Sequence, residues 1–320
     1  MGTKGDLLAL LERRRGQVVS GAELAAQLGV SRAAVWKAAG TLRSEGMVVE
    51  AAPGAGYCLP EGSDHLSAEA VAVWLESPGT PVRVEAETTS TNLLAKQWAI
   101  EGAPHGSLVL ADRQSAGRGR LGRNFASPAG GLYMSVVLRP RSGDTPALIT
   151  AGAAVAVCRA VQELCGLELA IKWVNDLYYQ GKKCCGILSE AAADIESGGL
   201  EYVVVGMGLN YRTPPQEFPP EVKDIATSLY PSGAAPVPRA RLAAKIHARL
   251  LEAFAHLANR EVLEEYRERS FLPGRWVTVL ASPPYEAEVL GIDEMAGLVV
   301  RGEDGAERTL TAGEVSVRPG

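Results

Sequence analysis

Apolar and polar positions along the chain fall into three regimes. Between Ser20 and Arg43 the apolar residues recur at helical spacing, Leu24 and Leu28 in one stretch and Val35 and Leu42 in the next. This predicts two helices, Ala22 to Leu28 and Ser31 to Leu42, joined by a tight turn in which Gly29 takes a left-handed backbone and Ser31 caps the second helix. Met47 to Glu50 and Tyr57 to Leu59 then read as two short strands around the Gly/Pro-rich stretch 51–56, and the polar run Pro60 to Asp64 as a linker. From about Leu66 to Ser270, apolar runs (Gly131 to Leu138, Leu167 to Trp173, Tyr202 to Leu209) alternate with amphipathic stretches (Pro146 to Leu164, Arg239 to Ala258), which predicts a mixed α/β core. Beyond Leu272-Pro-Gly274 the apolar runs Trp276 to Leu280, Tyr285 to Gly291 and Leu298 to Arg301 are short and punctuated, as in a small all-β barrel.

Composition narrows the classes. At 47% hydrophobic and 22% charged, the 320 residues exclude a disordered or fibrous chain. A bilayer span needs roughly 18 or more apolar residues, and the longest candidate, Ala151 to Cys158, is broken by Arg159 and Glu163, so no membrane partner is expected. The start, Met1-Gly-Thr-Lys-Gly-Asp6, lacks a signal-peptide pattern. Five cysteines without a C-x-x-C pair suit free thiols in a reduced, cytoplasmic protein rather than disulfides or zinc. The net charge of -5 divides unevenly, with residues 1–60 at +2 and the remainder at -7, so the head is the part suited to nucleic acid.

Helix, turn, helix and paired strands in this order are the plan of a winged helix-turn-helix. Its second helix presents Ser31, Arg32, Lys37 and Arg43, expected to meet operator DNA through phosphates more than base edges. Trp36 is read as core. A helical docking module with a solvated basic face is the competing reading.

The segment Ala111 to Arg123 carries three glycines (Gly117, Gly119, Gly122) and three arginines (Arg118, Arg120, Arg123), which suits neither a stable helix nor a strand. It is neither a Walker A loop nor a dinucleotide fingerprint. Three guanidinium forks on a mobile loop suit a ligand bearing phosphate as well as carboxylate, with an RNA contact or a plain surface turn as alternatives. Downstream, Lys172, Asn175 and Asp176 close an apolar strand, and Gln180-Gly181 makes a hairpin that presents Lys182 and Lys183. Upstream, Ser90-Thr91-Asn92 precedes the helix Leu93 to Ile100, and Ser90 or Thr91 could be only its cap.

Together, the Gly/Arg loop, Lys172-Trp-Val-Asn-Asp176, Gly186-Ile-Leu188 and Gly206-Met-Gly-Leu-Asn210 resemble the biotin-protein ligase family, and the winged head resembles its bifunctional ligase–repressor branch. The resemblance covers nearly the whole chain. It implies an α+β multidomain fold: a winged helix-turn-helix over 1–63, a ligase core of the class II synthetase-like type over 64–271, and an SH3-like barrel over 272–320. It implies that biotin and ATP form biotinyl-5'-adenylate, whose acyl group passes to a lysine of a biotin carboxyl carrier domain of acetyl-CoA carboxylase or a related carboxylase. By the same resemblance Lys183 stands near the biotin carboxylate and the α-phosphate, Arg118 and Arg120 close over biotin and adenylate, and Arg123 reaches phosphate. Ser90 and Gln114 suit the ureido ring; Thr91, Asn92, Gly117, Gly119, Gly186 and Asn210 belong to the same site, and Phe125 walls it where the family often has Trp. Asp176, with Lys172 and Asn175, is implied for the triphosphate and its Mg2+. A homodimer formed on ligand binding would occupy two operator half-sites. Two departures stand out: Leu121 replaces a frequent extra arginine, and 223–228 lacks an adenine-side aromatic. A lipoate-type ligase and a ligand-gated repressor without catalysis are the alternatives.

Overall fold

A computed structural model describes every residue except 1, 53, 54, 142, 143, 194–198, 258–260, 312, 314 and 318–320. In the head, α1 (Thr3–Arg13) buries Leu7, Leu8 and Leu11, and α2 (Gly21–Leu28) buries Leu24. The hydroxyls of Ser20 and Ser31 accept from Glu23 N–H (3.1 Å) and Ala34 N–H (3.2 Å), capping α2 and α3 (Arg32–Ser44). Gly29 between them takes φ 65°, the left-handed turn that its spacing implies. The wing is β1 (Glu50–Ala52) paired antiparallel with β2 (Gly56–Cys58), so its first strand begins later than expected. Pro53 and Gly54 of its turn lie outside the described residues. Gly56 is required sterically, because a Cβ there would stand 2.2 Å from the Val19 carbonyl oxygen.

The linker is tied at both ends. Lys4 Nζ bridges Glu45, at the end of α3, and Glu69, within α4 (Ala68–Ala72), both at 2.8 Å. Asp64 lies against Arg239, the first residue of α7 (Arg239–Ala255), with Nε to Oδ2 at 2.7 Å.

The core is a seven-stranded sheet in the order β3-β4-β5-β9-β8-β7-β6, antiparallel except for the β3/β4 pair. In chain order these are β3 (Val82–Thr88), β4 (Leu108–Gln114), β5 (Leu132–Leu138), β6 (Ala170–Lys172), β7 (Asp176–Tyr179), β8 (Lys182–Ala193) and β9 (Leu200–Leu209). Every residue of β5 is buried, because α5 (Thr91–Ile100) covers one face while α6 (Pro146–Cys165) and α7 cover the other. Period-two alternation divides the strand side chains: Val109 and Val137 meet Ala95 and Ala99 of α5, whereas Leu110 and Val136 face the other cluster. Among the described residues α6 alone is long and apolar enough to cross a bilayer, contrary to the expectation from charge interruptions. Its apolar window is 72% buried inside the protein, as in a core helix.

The last unit is a five-stranded antiparallel sheet in the order β13-β12-β11-β10-β14. It comprises β10 (Trp276–Val279), β11 (Tyr285–Ile292), β12 (Leu298–Gly302), β13 (Glu307–Leu310) and β14 (Val315–Val317). In place of the expected closed barrel, the described residues form an open sheet in which β13 and β14 are not paired with each other. It docks on the core through the Trp173 indole N–H, which donates to Ala296 O at 2.9 Å, and through Arg267 of α8 (Glu261–Arg269), whose Nε donates to Ile292 O at 2.9 Å. All five cysteines are free, and burial pushes the Cys158 thiol up to about 12 and raises the Cys184 and Cys185 thiols well above the ordinary range, as inert packing residues require.

Candidate functional site

A cavity of about 250 Å³ opens over the sheet where β4, β8 and β9 meet the Gly/Arg loop. Its floor is flat because Gly186 and Gly208 pair across β8 and β9, and Phe125 lies on them. A Cβ at Gly208 would stand 2.6 Å from the Phe125 ring, and one at Gly186 would stand 3.0 Å from it. Gly206 does the same for Asn92, whose Oδ1 would be 2.0 Å from an added Cβ.

One end of the cavity is neutral and polar. Ser90 occupies the N-cap position of α5, yet its hydroxyl makes no cap bond. The Thr91 N–H instead donates to Gln114 Oε1 at 2.8 Å, and Gln114 Nε2 donates to Ser127 Oγ at 2.8 Å. Buried Ser135 donates to Asn92 Oδ1 at 2.7 Å, while Asn92 Nδ2 donates to Glu190 Oε2 at 2.9 Å. The Ser90 hydroxyl therefore does not serve as the cap, and Ser90 lines the cavity. Asn210 also lines the space, and its buried Oδ1 has no hydrogen-bond partner among the described residues. Such an acceptor is costly unless a ligand donor answers it.

The other end is cationic. Type I′ geometry at Gln180 (φ 49°) and Gly181 (φ 77°) turns β7 into β8 as the Asn/Gln-Gly pattern predicts, and sets Lys183 beside Asp176. Lys183 Nζ is 2.7 Å from Asp176 Oδ1. Arg118 reaches Glu190 at 3.3 Å. Arg120 bridges two units, with Nη1 to Asn175 Oδ1 at 3.2 Å and Nη2 to the Gly313 carbonyl at 3.1 Å. The loop is more ordered than its composition suggests. Gly119 N–H donates to Arg123 O, Phe125 N–H donates to Gly117 O, and a short 3-10 turn spans Arg120–Gly122.

Sixteen residues were expected at this site, and the cavity lining includes all but Gly117 and Lys172. Gly117 acts sterically, because a Cβ there would stand 2.3 Å from Phe125 O. Lys172 pairs opposite Asp176 in β6 and β7, outside the lining. Sequence reasoning missed the far wall of Phe218, Val222, Ile225 and Ala226. That segment is held by Lys183 N–H to Ile225 O and Thr227 N–H to Lys183 O, both 2.9 Å. The wall is aliphatic where an aromatic was sought, and Phe218 stands upstream of the stretch searched. Among the described residues no cluster of three metal-ligating side chains exists. Asp176 is a single carboxylate, and Mg2+ held by one or two carboxylates plus substrate phosphates fits it.

In the head, Ser31, Arg32, Lys37 and Arg43 are all exposed as expected. Arg43 is partly committed, since its Nε donates to Val49 O at 2.7 Å and anchors the wing. Trp36 corrects the reading made above. It is 68% exposed, because Val35, Ala38, Ala39 and Leu42 already fill the buried stripe and Trp36 falls outside it.

A neutral, polar recognition end running into a cluster of ammonium and guanidinium groups, under a Gly-rich loop, is the layout of an adenylate-forming ligase, here carrying a winged helix-turn-helix. Residues 83–210 match the biotin/lipoate A/B protein ligase family and residues 4–58 match an HTH domain. The bifunctional ligase/repressor BirA of Bacillus subtilis is 40% identical over 240 residues, 73% of each chain. That of Escherichia coli is 30% identical over 319 residues, covering 98% of this chain and 96% of that protein. The structure of biotin protein ligase from Aquifex aeolicus in complex with biotin and ATP superposes with a TM-score of 0.64 at 29% identity, covering 75% of this chain and 99% of that one. The chain belongs to the biotin-protein ligase family, in its bifunctional ligase/repressor branch.

Proposed function

We propose that this chain ligates biotin, at the expense of ATP, to a lysine of the biotin carboxyl carrier domain of acetyl-CoA carboxylase or a related carboxylase. We propose further that it represses biotin synthesis genes, with biotinyl-5'-adenylate as corepressor, as a cytoplasmic protein that dimerises on ligand. The observation that carries the ligase reading is the polarity of this cavity: neutral hydrogen-bonding groups at Ser90, Asn92 and Gln114, cations at Lys183, Arg118 and Arg120. A ureido ring offers N–H donors and a carbonyl acceptor to the first set. The biotin carboxylate and the α-phosphate then meet at the second.

In the first step a carboxylate oxygen bonds to the α-phosphorus and pyrophosphate leaves. In the second, the carrier amine attacks the acyl carbon, AMP departs and the amine loses its proton. Lys183 and the arginines offset the charge that builds on the phosphoryl oxygens. Asp176, beside Lys183, is the residue suited to the Mg2+ that accompanies the triphosphate. The mixed anhydride survives only away from water, a task that falls to the loop 117–123.

A lipoate-type ligase is disfavoured by the neutral end of the cavity, because a dithiolane ring would leave the Ser90 hydroxyl and Asn210 Oδ1 facing an unresponsive ligand. Incubation of the full chain with ATP, Mg2+, a carrier domain and either labelled biotin or labelled lipoate tests both. Covalent label from biotin alone is expected; label from lipoate, or from neither, rejects the assignment.

Arg120 links the loop to Asn175 and to the C-terminal unit, so Arg120→Gly removes both tethers. This variant is expected to form adenylate but to release it, labelling bystander lysines on unrelated proteins. Retained adenylate with carrier-only labelling would show that Arg120 is not part of the lid.

A further inference from the structure

The exposed side of α3 combines three features that the fold of this chain does not explain. Trp36 is 68% exposed although an aromatic of that size is normally buried. Gly40, one turn further on the same side, sits inside the helix at a cost relative to alanine, and an added Cβ would meet nothing within 4 Å. No described residue requires a glycine there. Arg32 and Lys37 flank this strip on the same helix, and neither side chain makes an ion pair or hydrogen bond with a described residue. Ala33, also exposed, completes a surface in which one large ring stands between two minimal side chains.

A flat aromatic edge, room for close approach on either side, and unpaired cations at the margins together fit a duplex groove. The cations complement phosphates, and the ring is suited to the one apolar group on a major-groove base edge, the C5-methyl of thymine. We propose that Trp36 is the specificity-determining residue of the head: its indole packs on a thymine methyl group, Ala33 and Gly40 let the helix backbone seat deeply enough for that contact, and Arg32 and Lys37 hold the flanking phosphates. The proposal rests on the DNA-binding reading of the head and adds which base feature is read and by what.

The test uses the full-length chain with biotin, ATP and Mg2+, and a duplex enriched from a random-sequence pool by binding to the wild-type protein. Each thymine of that duplex is replaced in turn by deoxyuridine, which deletes only the methyl group. For the wild type, one or two positions per half-site are expected to weaken binding severalfold. Trp36→Ala is expected to lose about tenfold on the enriched duplex, to keep its affinity for random duplex within about twofold, and to become indifferent to deoxyuridine. Gly40→Ala is expected to raise the melting temperature of the head yet weaken the enriched duplex severalfold. A purely structural glycine would not separate those two readouts. Trp36→Ala that binds the enriched duplex like wild type, or keeps the wild-type deoxyuridine profile, overturns the proposal while leaving DNA binding intact. A wild-type chain that enriches no duplex and binds random DNA without salt dependence overturns the DNA-binding reading and the proposal together. Trp36→Ala that alters self-association but no duplex affinity assigns the strip to a protein contact and likewise overturns it.

Discussion

Replacing Lys183 by alanine is expected to slow adenylate formation by about 10²–10³-fold, the range seen when one preorganised stabiliser of a developing oxyanion is removed. The reaction forces a carboxylate against a phosphoryl group, and two unit charges about 4 Å apart repel by about 4 kcal/mol at an effective dielectric constant of 20. A single ammonium in that position is the compact charge best placed to offset this. Lys183 now lies 2.7 Å from Asp176, so its loss also leaves a carboxylate unopposed beside the substrate anions. The double variant Lys183→Ala with Asp176→Asn separates these two effects. If Lys183 only neutralises Asp176, the double variant recovers most of the rate. If Lys183 acts on the phosphoryl oxygens, the rate stays low. Pyrophosphate release in a single-turnover assay reads the first step directly, and the side chain's position at the head of β8, partly open to solvent, leaves the fold intact. A rate within about threefold of wild type for Lys183→Ala would remove this residue from the chemistry.

The parts of this molecule visible in its sequence are those written locally. The two caps at Ser20 and Ser31, the left-handed Gly29 and the Gln180-Gly181 hairpin each depend on neighbouring residues alone, and each is observed. The Gly/Arg loop pointed to an anionic ligand, with an RNA contact or a surface turn as alternatives, and four of its residues line the cavity. The far wall was not legible. Val222 and Ile225 reach the cavity only because their backbone joins that of Lys183, some 40 residues earlier in the chain, and no local pattern encodes such a pairing. The Arg120 contact to Gly313 spans 193 residues and was invisible for the same reason. Trp36 was misread on residue type, since tryptophan is usually buried; the helical phase of Val35, Ala38, Ala39 and Leu42 would have placed it outside. The glycines of Gly206-Met-Gly208 were noticed as a motif, but their purpose, leaving space for Asn92 and Phe125, emerges only once the strands are paired.

Arg239→Ala is expected to lower the stability of the core by about 3–5 kcal/mol, the usual penalty for removing one partner of a buried ion cluster. Arg239 is 6% exposed and donates from Nε to Asp64 (2.7 Å), from Nη1 to Asp112 (2.6 Å) and to Gly131 O (3.0 Å), and from Nη2 to Asp64 O (3.2 Å). Burial alone would lower its pKa, but Asp64 and Asp112 raise it on balance, so the guanidinium is charged throughout the accessible range. Removing it leaves the Asp64 carboxylate with the backbone N–H of residue 239 and one cation, Arg212 at 3.2 Å. Asp112, more open to water, contributes less, so Asp112→Asn is expected to cost under half as much. Asp64 lies in the linker below the winged head, and Asp112 lies two residues before Gln114 on β4. The cluster therefore fixes the head's attachment to the strand that supplies the neutral end of the cavity. Urea denaturation followed by core tryptophan fluorescence measures the loss. Asp64→Asn, which keeps the guanidinium and most of the packing, guards against a variant too unstable to purify. It is expected to weaken biotin binding while leaving the rate of adenylate transfer from a preloaded chain unchanged. Arg239→Ala that unfolds within about 1 kcal/mol of wild type would mean the ion cluster is replaced by water at little cost, and that the head is held by the Lys4 bridges instead.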